Sequence, residues 1–351
     1  MSVFERLTAD GFEQVLFCHD RYTGLRSIIA IHDTTLGPSL GGVRMWPYQS
    51  EDEALVDCLR LAQGMTYKAA SAGVNLGGGK SVIVGDSRSE KTEPLLKAHG
   101  RFIQTLGGRY IPGIDVGTDM ADLQVIATQA ERVSCVKGDP SPMTALGVLC
   151  GIRACLQAAR GSDELEGVRI AVQGVGHVGA ALVEMASAAG AHALVSDVDP
   201  GRAAAVARRC GATVVEPDEI IAVECDVFAP CALGAVIDDD SIPRLRCTIV
   251  AGSANNVLAE ARHGAALHDA GILYAPDFCV NAGGLIFLEE EILGHTPEET
   301  ERRVRGVREL VARVIERAGT DGIPTSEAAD RVAEERLASH RLIGPAFVAP
   351  R

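Results

Sequence analysis

The stretch 168-VRIAVQGVGHVGAALVEMASAAGAHALVSD-197 decides the fold class. Val168 to Gln173 has the length and apolar character of a buried strand. Gly174, Gly176 and Gly179 follow at once and open an apolar helix running to about Ala189. A second strand, Ala193 to Ser196, ends at Asp197. Strand, glycine loop, helix and terminal acid in this order form the context that a dinucleotide cradle needs. Gly174 permits the tight turn, Gly176 a close approach of pyrophosphate to backbone, and Gly179 tight packing of helix on strand. The helix start, where His177 and Val178 stand, offers unpaired N–H groups to an anion. His177 is given no catalytic role. The Asp197 carboxylate can accept hydrogen bonds from ribose hydroxyls and would repel a 2′-phosphate, which favours NAD over NADP. A tight strand-to-helix turn without a ligand is the alternative for the glycines taken alone.

Outward from this unit the pattern repeats. Thr144 to Ala159 reads as a helix, and Asp226–Ala229, Thr248–Ala251 and Ile272–Tyr274 as strands with helical patterns between them. Such alternation predicts a parallel sheet with helices on both faces. About Pro297 to Ser339 reads as two helices broken at Gly322–Pro324. Upstream, Phe12–Cys18 and Arg26–His32 read as strands, Gly37–Gly42 (GPSLGG) as a loop, and Ser50 and Glu53 as a capping box. Behind that box a helix ends near Lys68, with Met65 on its apolar side. The run Gly77–Gly79 then precedes Lys80 and the strand SVIVG; a helix near Glu93–Leu106 and a strand Arg109–Pro112 lead to Asp115. The 351 residues exceed what one core supports. The expected class is therefore α/β with two domains: an N-terminal α/β domain over 1–138, joined by a C-terminal helix at about 325–351, and a Rossmann-type doubly wound NAD-binding domain over 139–324. Val136–Met143, with a glycine and two prolines, is the hinge candidate.

The formal charge of −14 argues against nucleic acid and anionic membranes as partners. No apolar run reads as long enough to cross a bilayer. Ten scattered cysteines include no CxxC pair and no cluster with zinc-ligand spacing, so no metal is expected. With a polar start lacking an apolar leader run, they read as reduced thiols of a cytoplasmic protein.

Lys68, Lys80 and Asp115 are the candidate chemical groups of the first domain. A lone lysine is ordinarily a solvated surface charge. Lys80, however, sits between a glycine run and an apolar strand, and Asp115 between Ile114 and Val116. Two ammonium groups near one another, out of water, lower a lysine pKa toward the working range of a general base.

The segments GPSLGGVRMWPY, GMTYKAA, NLGGGKSVI, GIDVGTDM, AVQGVGHVG, FAPCALG, AGSANN, YAPDF and VNAGG together resemble the leucine, phenylalanine and valine dehydrogenases of the glutamate dehydrogenase superfamily. The deaminating tryptophan dehydrogenases are also similar. The resemblance runs from about Phe12 to Ser339, and the N-terminal third looks most like leucine dehydrogenases. It implies NAD-dependent oxidative deamination of an apolar L-amino acid to the 2-oxo acid, ammonium and NADH, by a homo-oligomer of two to eight subunits, with the N-terminal domain serving substrate binding and oligomerisation. It further implies that Lys68 binds the substrate carboxylate with help from Gly41 and Gly42, that Lys80 is the general base, and that Asp115 shuttles protons. Thr144, Ala232, Asn255, Asn256 and Asn281 match the surroundings of nicotinamide and ribose; for the asparagines alone, turn formation is the competing reading. Cys231 lies beside the cofactor in the family, with no nucleophilic role.

Leu40, Gly113, Leu285 and Leu288 match the substrate side-chain pocket, and all are uncharged. A second carboxylate there would stand unpaired at high cost. Gly113 departs from the alanine of leucine enzymes and matches the glycine of phenylalanine enzymes. The stretch Val133–Pro142 is shorter than in leucine dehydrogenases. Two other functions compete. An NAD-dependent 2-hydroxy-acid dehydrogenase would need a catalytic His–carboxylate pair and a substrate-binding Arg, and none of the nine histidines falls in such a motif. A catalytically silent NAD-binding protein should lack one of Lys68, Lys80 and Asp115.

Overall fold

The computed structural model describes residues 3–135, 138–294 and 296–341. The chain separates into two compact units. The first comprises Met1–Asp139, Glu291–Leu293 and Ala333–Arg351, and the second Pro140–Glu290 and Gly294–Val332.

The first unit is built on a mixed sheet of five strands: β1 (Gln14–Asp20), β2 (Leu25–Asp33), β3 (Ser39–Trp46), β4 (Gly77–Val84) and β5 (Tyr110–Ile114), in the order β1-β2-β4-β3-β5. β1 and β2 form an antiparallel hairpin, β2 pairs antiparallel with β4, and β3 lies parallel to both β4 and β5. Both faces are covered. The helix Glu51–Ser71 packs Ala54, Leu55, Cys58, Leu59 and Ala62 against Ile28, Ala30 and Val82. The helices Glu93–Gln104 and Met120–Ala127 pack against Ile29, Ile31, Val43, Ile83 and Tyr110 on the other face. Ser50 caps the first of these helices by accepting from the Glu53 N–H, as its sequence pattern predicts.

Two expectations fail here for one reason. GPSLGG is not wholly a loop: from Ser39 onward it is β3, a central strand. Gly77–Gly79 likewise do not precede β4 but form its first residues. These glycines serve backbone proximity rather than turning. A Cβ on Gly78 would stand 2.1 Å from Thr66 Oγ1 and 2.2 Å from Thr66 N, so the Glu51–Ser71 helix rests directly on the strand. A Cβ on Gly41 would lie 1.7 Å from the Gly79 carbonyl oxygen. Just beyond, at the C-terminus of the same helix, the Arg336 guanidinium donates to the carbonyls of Ala69, Ala70 and Val74 at 2.9–3.1 Å. It adds a charged donor to carbonyls at the negative end of that helix. Ala333 and Leu337 pack beside it on Leu36 and Ala70.

The second unit contains six parallel strands: β6 (Arg169–Gln173), β7 (His192–Ser196), β8 (Thr213–Val214), β9 (Val227–Pro230), β10 (Ile249–Val250) and β11 (Leu273–Tyr274). Their order is β11-β10-β9-β6-β7-β8. The sequence progresses outward in both directions from β6, so the order reverses between β6 and β9, the switch point of a Rossmann sheet. The expected α/β class with one Rossmann-type domain is therefore observed.

Three further expectations change. Ser141–Arg160 is one helix, so Ser141 to Met143 belong to it rather than to a hinge; Val136 and Lys137 lie outside the described residues. That helix is, by length and composition, apolar enough to span a membrane, contrary to the sequence expectation. In the fold its apolar side is buried in the second unit, against His177–Ala188 and Val307–Asp321. The C-terminal region forms three helices, Pro297–Arg305, Val307–Asp321 and Thr325–Arg341, because Gly306 adds a break ahead of Gly322.

Gly78→Ala should destabilise the protein by about 3 kcal/mol, the upper end for overpacking, because the obstacle is backbone. Gly64, on the exposed side of the same helix with nothing within 4 Å of a would-be Cβ, is the control. Gly64→Ala should stabilise by about 0.5–1 kcal/mol. Chemical denaturation midpoints of the two variants check both signs.

Candidate active site and cofactor cradle

The chemistry-bearing groups of the first unit converge around β4. Lys80, Val82 and Gly78 share the face of β4 that meets the Glu51–Ser71 helix, so Lys80 is buried, with only 6 % of its surface exposed. Its ammonium contacts the Asp115 carboxylate. Burial first, then the Arg44 guanidinium, pushes the Lys80 ammonium down to about 7; Cys58 and Asp57 act the other way, and Lys68 lowers it further.

Asp115 is held where β5 ends. Its N–H donates to Thr118 Oγ1 at 3.1 Å, and the Thr118 hydroxyl donates to the Val43 carbonyl at 2.7 Å. Gly117, at φ +83°, packs with no room for a Cβ against the Met45 carbonyl. A Cβ on Gly42 would stand 2.7 Å from the Asp115 Cβ, so Gly42 leaves the space that the aspartate side chain fills. Gly41 is pinned by the Tyr110 hydroxyl, which donates to its carbonyl at 2.8 Å.

Lys68 and Met65 lie half-buried on the helix, and Leu40 and Gly113 are buried on β3 and β5. Register pairs Gly42 with Gly113. A Cβ on Gly113 would meet Ser134 Oγ at 3.0 Å and Cys135 Sγ at 3.4 Å, so the missing methyl faces these two side chains. Sequence reasoning did not single out Ser134 or Cys135. The structural signal is Cys135 itself, a buried non-glycine residue at φ +61°. It also passed over Arg44, Asp57 and Tyr48. Arg44 donates to Asp57 at 2.8 Å and to Asp115 at 3.3 Å, and the Tyr48 hydroxyl donates to Asp57 at 2.7 Å. An arginine between Val43 and Met45 of a buried strand was the available clue.

In the second unit Gly174, Asp197, Ala232, Asn255 and Asn256 follow the carboxyl ends of strands, while Thr144 and Asn281 lie on or beside helices. Gly174, at φ +91°, is a required glycine, since a Cβ there would stand 2.6 Å from the Ala232 Cβ. Gly179 meets the Gly174 carbonyl in the same way. Gly176, by contrast, has nothing within 4 Å, which leaves open space where pyrophosphate would approach. The helix His177–Ala188, beginning with His177 and Val178, has no side-chain cap, so its first N–H groups face that space.

Asp197 follows β7 and accepts from the N–H groups of Val175 and Asp199, each at 2.9 Å, with Arg202 at 3.4 Å. Burial opposes its ionisation, but these donors outweigh it and hold the carboxyl below its usual range. Ala232 follows β9, and Asn255 and Asn256 follow β10, with Asn256 at φ +51°. Asn281, 2 % exposed, donates to Asn255 Oδ1 at 2.8 Å and to the Ser253 carbonyl at 3.2 Å. Its own Oδ1 is buried with no hydrogen-bond partner, an acceptor suited to an amide or hydroxyl donor. Thr144 sits near the start of Ser141–Arg160, its hydroxyl donating to the Pro140 carbonyl, beside Gly284. Leu285 is buried and Leu288 half-buried on the helix Gly283–Leu293. The open glycine, the uncapped helix start and the orphaned acceptor fit a nicotinamide dinucleotide. Among the described residues no cluster of metal-ligating side chains occurs.

Comparison with known proteins agrees with this architecture. The family described as "Glu/Leu/Phe/Val dehydrogenase, dimerisation domain" matches residues 13–132, and "Glutamate/Leucine/Phenylalanine/Valine dehydrogenase" matches residues 201–342. The leucine dehydrogenase of Bacillus cereus is 50 % identical over 345 residues, covering 97 % of this chain and 94 % of that one. The phenylalanine dehydrogenase of Thermoactinomyces intermedius is 44 % identical over 95 % of this chain and 94 % of its own. The crystal structure of L-tryptophan dehydrogenase from Nostoc punctiforme superposes with a TM-score of 0.88 at 43 % identity, covering 97 % of this chain and all of that one. With two matching family descriptions and relatives of this identity along nearly its whole length, the chain belongs to the glutamate/leucine/phenylalanine/valine dehydrogenase family.

Proposed function

We propose that this amino-acid dehydrogenase oxidatively deaminates an apolar L-amino acid with NAD. The observation that carries the reading is the buried Lys80 ammonium in contact with Asp115, with Lys68 among the charges acting on it. A lysine held near neutrality beside a carboxylate is equipped to exchange protons at the pH of the cell.

In this reading Lys68 binds the substrate carboxylate, aided by the backbone of Gly41 and Gly42. Asp115 accepts a hydrogen bond from the neutral substrate amine and orients Cα. When bound, the dinucleotide supplies a hydride acceptor; Gly174, Gly176, Gly179 and the start of the His177–Ala188 helix would hold its phosphates and Asp197 its ribose. Neutral Lys80 then takes a proton from the water that adds to the substrate iminium carbon. The proton taken up by Lys80 passes through Asp115 to the amine of the carbinolamine; as the C–N bond breaks, the hydroxyl returns a proton to Lys80, and ammonia leaves with the 2-oxo acid. Leu40, Met65 and Gly113 are uncharged. They suit an aliphatic or aromatic side chain and leave a second carboxylate without a partner. Asp197 supports NAD over NADP because its ionised carboxylate would repel a 2′-phosphate. Ten free thiols support a cytoplasmic setting, and a homo-oligomer is the assembly the reading carries with it.

Lys80→Ala should lower kcat by about 10²–10⁴, the span of general acid–base catalysis, while NADH binding followed by fluorescence stays intact. Turnover near wild-type would remove Lys80 from the mechanism. Because the neutral amine is the working form, kcat for deamination should climb with pH along a limb centred near 7 and decline below it. A steady-state panel of leucine, valine, phenylalanine, tryptophan and glutamate, each with NAD and NADP, tests the specificity. Apolar substrates with NAD should dominate; a glutamate preference would sink the pocket reading, and an NADP preference the role of Asp197.

A further inference from the structure

Lys80 and Asp115 are two members of a longer alternation of charge. On the far side of Asp115 lies Arg44, one of whose terminal nitrogens donates to Asp115 Oδ1 at 3.3 Å while the other donates to Asp57 Oδ2 at 2.8 Å. Asp57 is itself tied down, its Oδ2 accepting from the Tyr48 hydroxyl at 2.7 Å and its Oδ1 from Arg60 at 3.0 Å. Only the Arg60 end is open to solvent: the side chains of Arg44, Asp57 and Asp115 are 20 %, 17 % and 13 % exposed, against 54 % for Arg60. The Arg44 Nε is buried without a hydrogen-bond partner, so the two terminal nitrogens alone set the orientation of the guanidinium.

Three elements are joined in this way. Arg44 lies on β3, two residues past Gly42; Asp57 lies on the helix that carries Lys68; Asp115 directly follows β5. We propose that Arg44 is a positioning residue for the Lys80–Asp115 pair, its planar fork gripping Asp115 on one side while Asp57 grips the fork on the other. The inference rests on the roles given above to Lys80 and Asp115.

Two consequences follow from the geometry. First, Asp115 Oδ1 is occupied by Arg44 and by the Val116 N–H at 2.5 Å, so Oδ2 is the oxygen turned to Lys80. A lysine in place of Arg44 keeps the charge but loses the fixed two-pronged reach. Second, the guanidinium disfavours a second cation at Lys80, and the Asp57 carboxylate favours one. The charged or titratable groups acting on Lys80 are Arg44 from β3, Asp57, Cys58 and Lys68 from the helix, and Asp115 from the end of β5. Arg44 and Asp57 therefore act on the Lys80 proton with opposite sign.

The test compares Arg44→Gln, Arg44→Lys and Asp57→Asn in the full-length enzyme. The kcat–pH profile is one readout, and the titration of the Lys80 ε-carbon by NMR, assigned through its loss in Lys80→Ala, is the other. Arg44→Gln should move the Lys80 titration and the kcat limb up by about half a unit or more, and Asp57→Asn should move both down. Arg44→Gln should also lower kcat by up to about 10²-fold, as expected for a misplaced catalytic group, with little change in amino-acid KM. Arg44→Lys should hold the limb near its wild-type position and recover part of that kcat. General loosening of the fold would not displace the titration in opposite directions. Should Arg44→Gln not fold, the downward shift in Asp57→Asn and the unmoved limb in Arg44→Lys still decide the matter. Titrations that stay in place, or move the same way in Arg44→Gln and Asp57→Asn, overturn the clamp. If the NMR titration moves as stated but the kcat limb does not follow, the clamp stands and Lys80 is not the base.

Discussion

The first unit depends on one close approach, that of the Glu51–Ser71 helix to β4. With glycine at position 78 the strand offers no Cβ at the contact, and Thr66 comes within what would otherwise be a bond-length clash. The helix can then rest on the sheet, where the charges of Asp57 and Lys68 both act on Lys80. A second set of glycines repeats the device sideways. Gly41 admits the Gly79 carbonyl, and Gly42 admits the side chain of Asp115. The site is dense with charge because the backbone around it has been stripped of side chains.

Burying a lysine among such neighbours is unfavourable unless its surroundings compensate. Here the compensation is an ordered alternation of sign, from Lys80 through Asp115, Arg44 and Asp57 to Arg60. Every link is a direct ion pair, and the last opens to solvent. The arrangement fixes Asp115 through partners other than Lys80: Arg44, the Val116 N–H and the Thr118 hydroxyl. In the second unit the logic is simpler. An uncapped helix start, one glycine with empty space above it and a buried amide oxygen without a donor form a polar cradle with little charge of its own, apart from Asp197.

The two units differed in how much of them could be read from sequence. GVGHVG and Asp197 were legible because strand, loop, helix and acid lie within one local stretch, and local order is what pattern reading captures. GPSLGG and GGGK misled because glycine has two uses, turning the chain and letting backbones touch, and only the three-dimensional neighbour distinguishes them. Arg44 was unread for a related reason. Its place between Val43 and Met45 was the one local clue, while its partners Asp57 and Asp115 come from a helix and a strand end remote in sequence. Ser134 and Cys135 became visible only through what a methyl on Gly113 would touch. The apolar helix Ser141–Arg160 shows the converse, a composition fit for lipid in a helix packed against its neighbours inside the second unit.

Arg336 binds the last carbonyls of the Lys68 helix, yet it is encoded after the whole of the second unit. During synthesis the ribosome must finish that second unit before the guanidinium exists to seal the first. The portion of the chain made earliest is thus completed last, against the usual order in which N-terminal domains settle ahead of those behind them. Anyone wishing to excise the lysine-bearing unit, or to move the chain's ends by circular permutation, must carry residues 333–341 along with it.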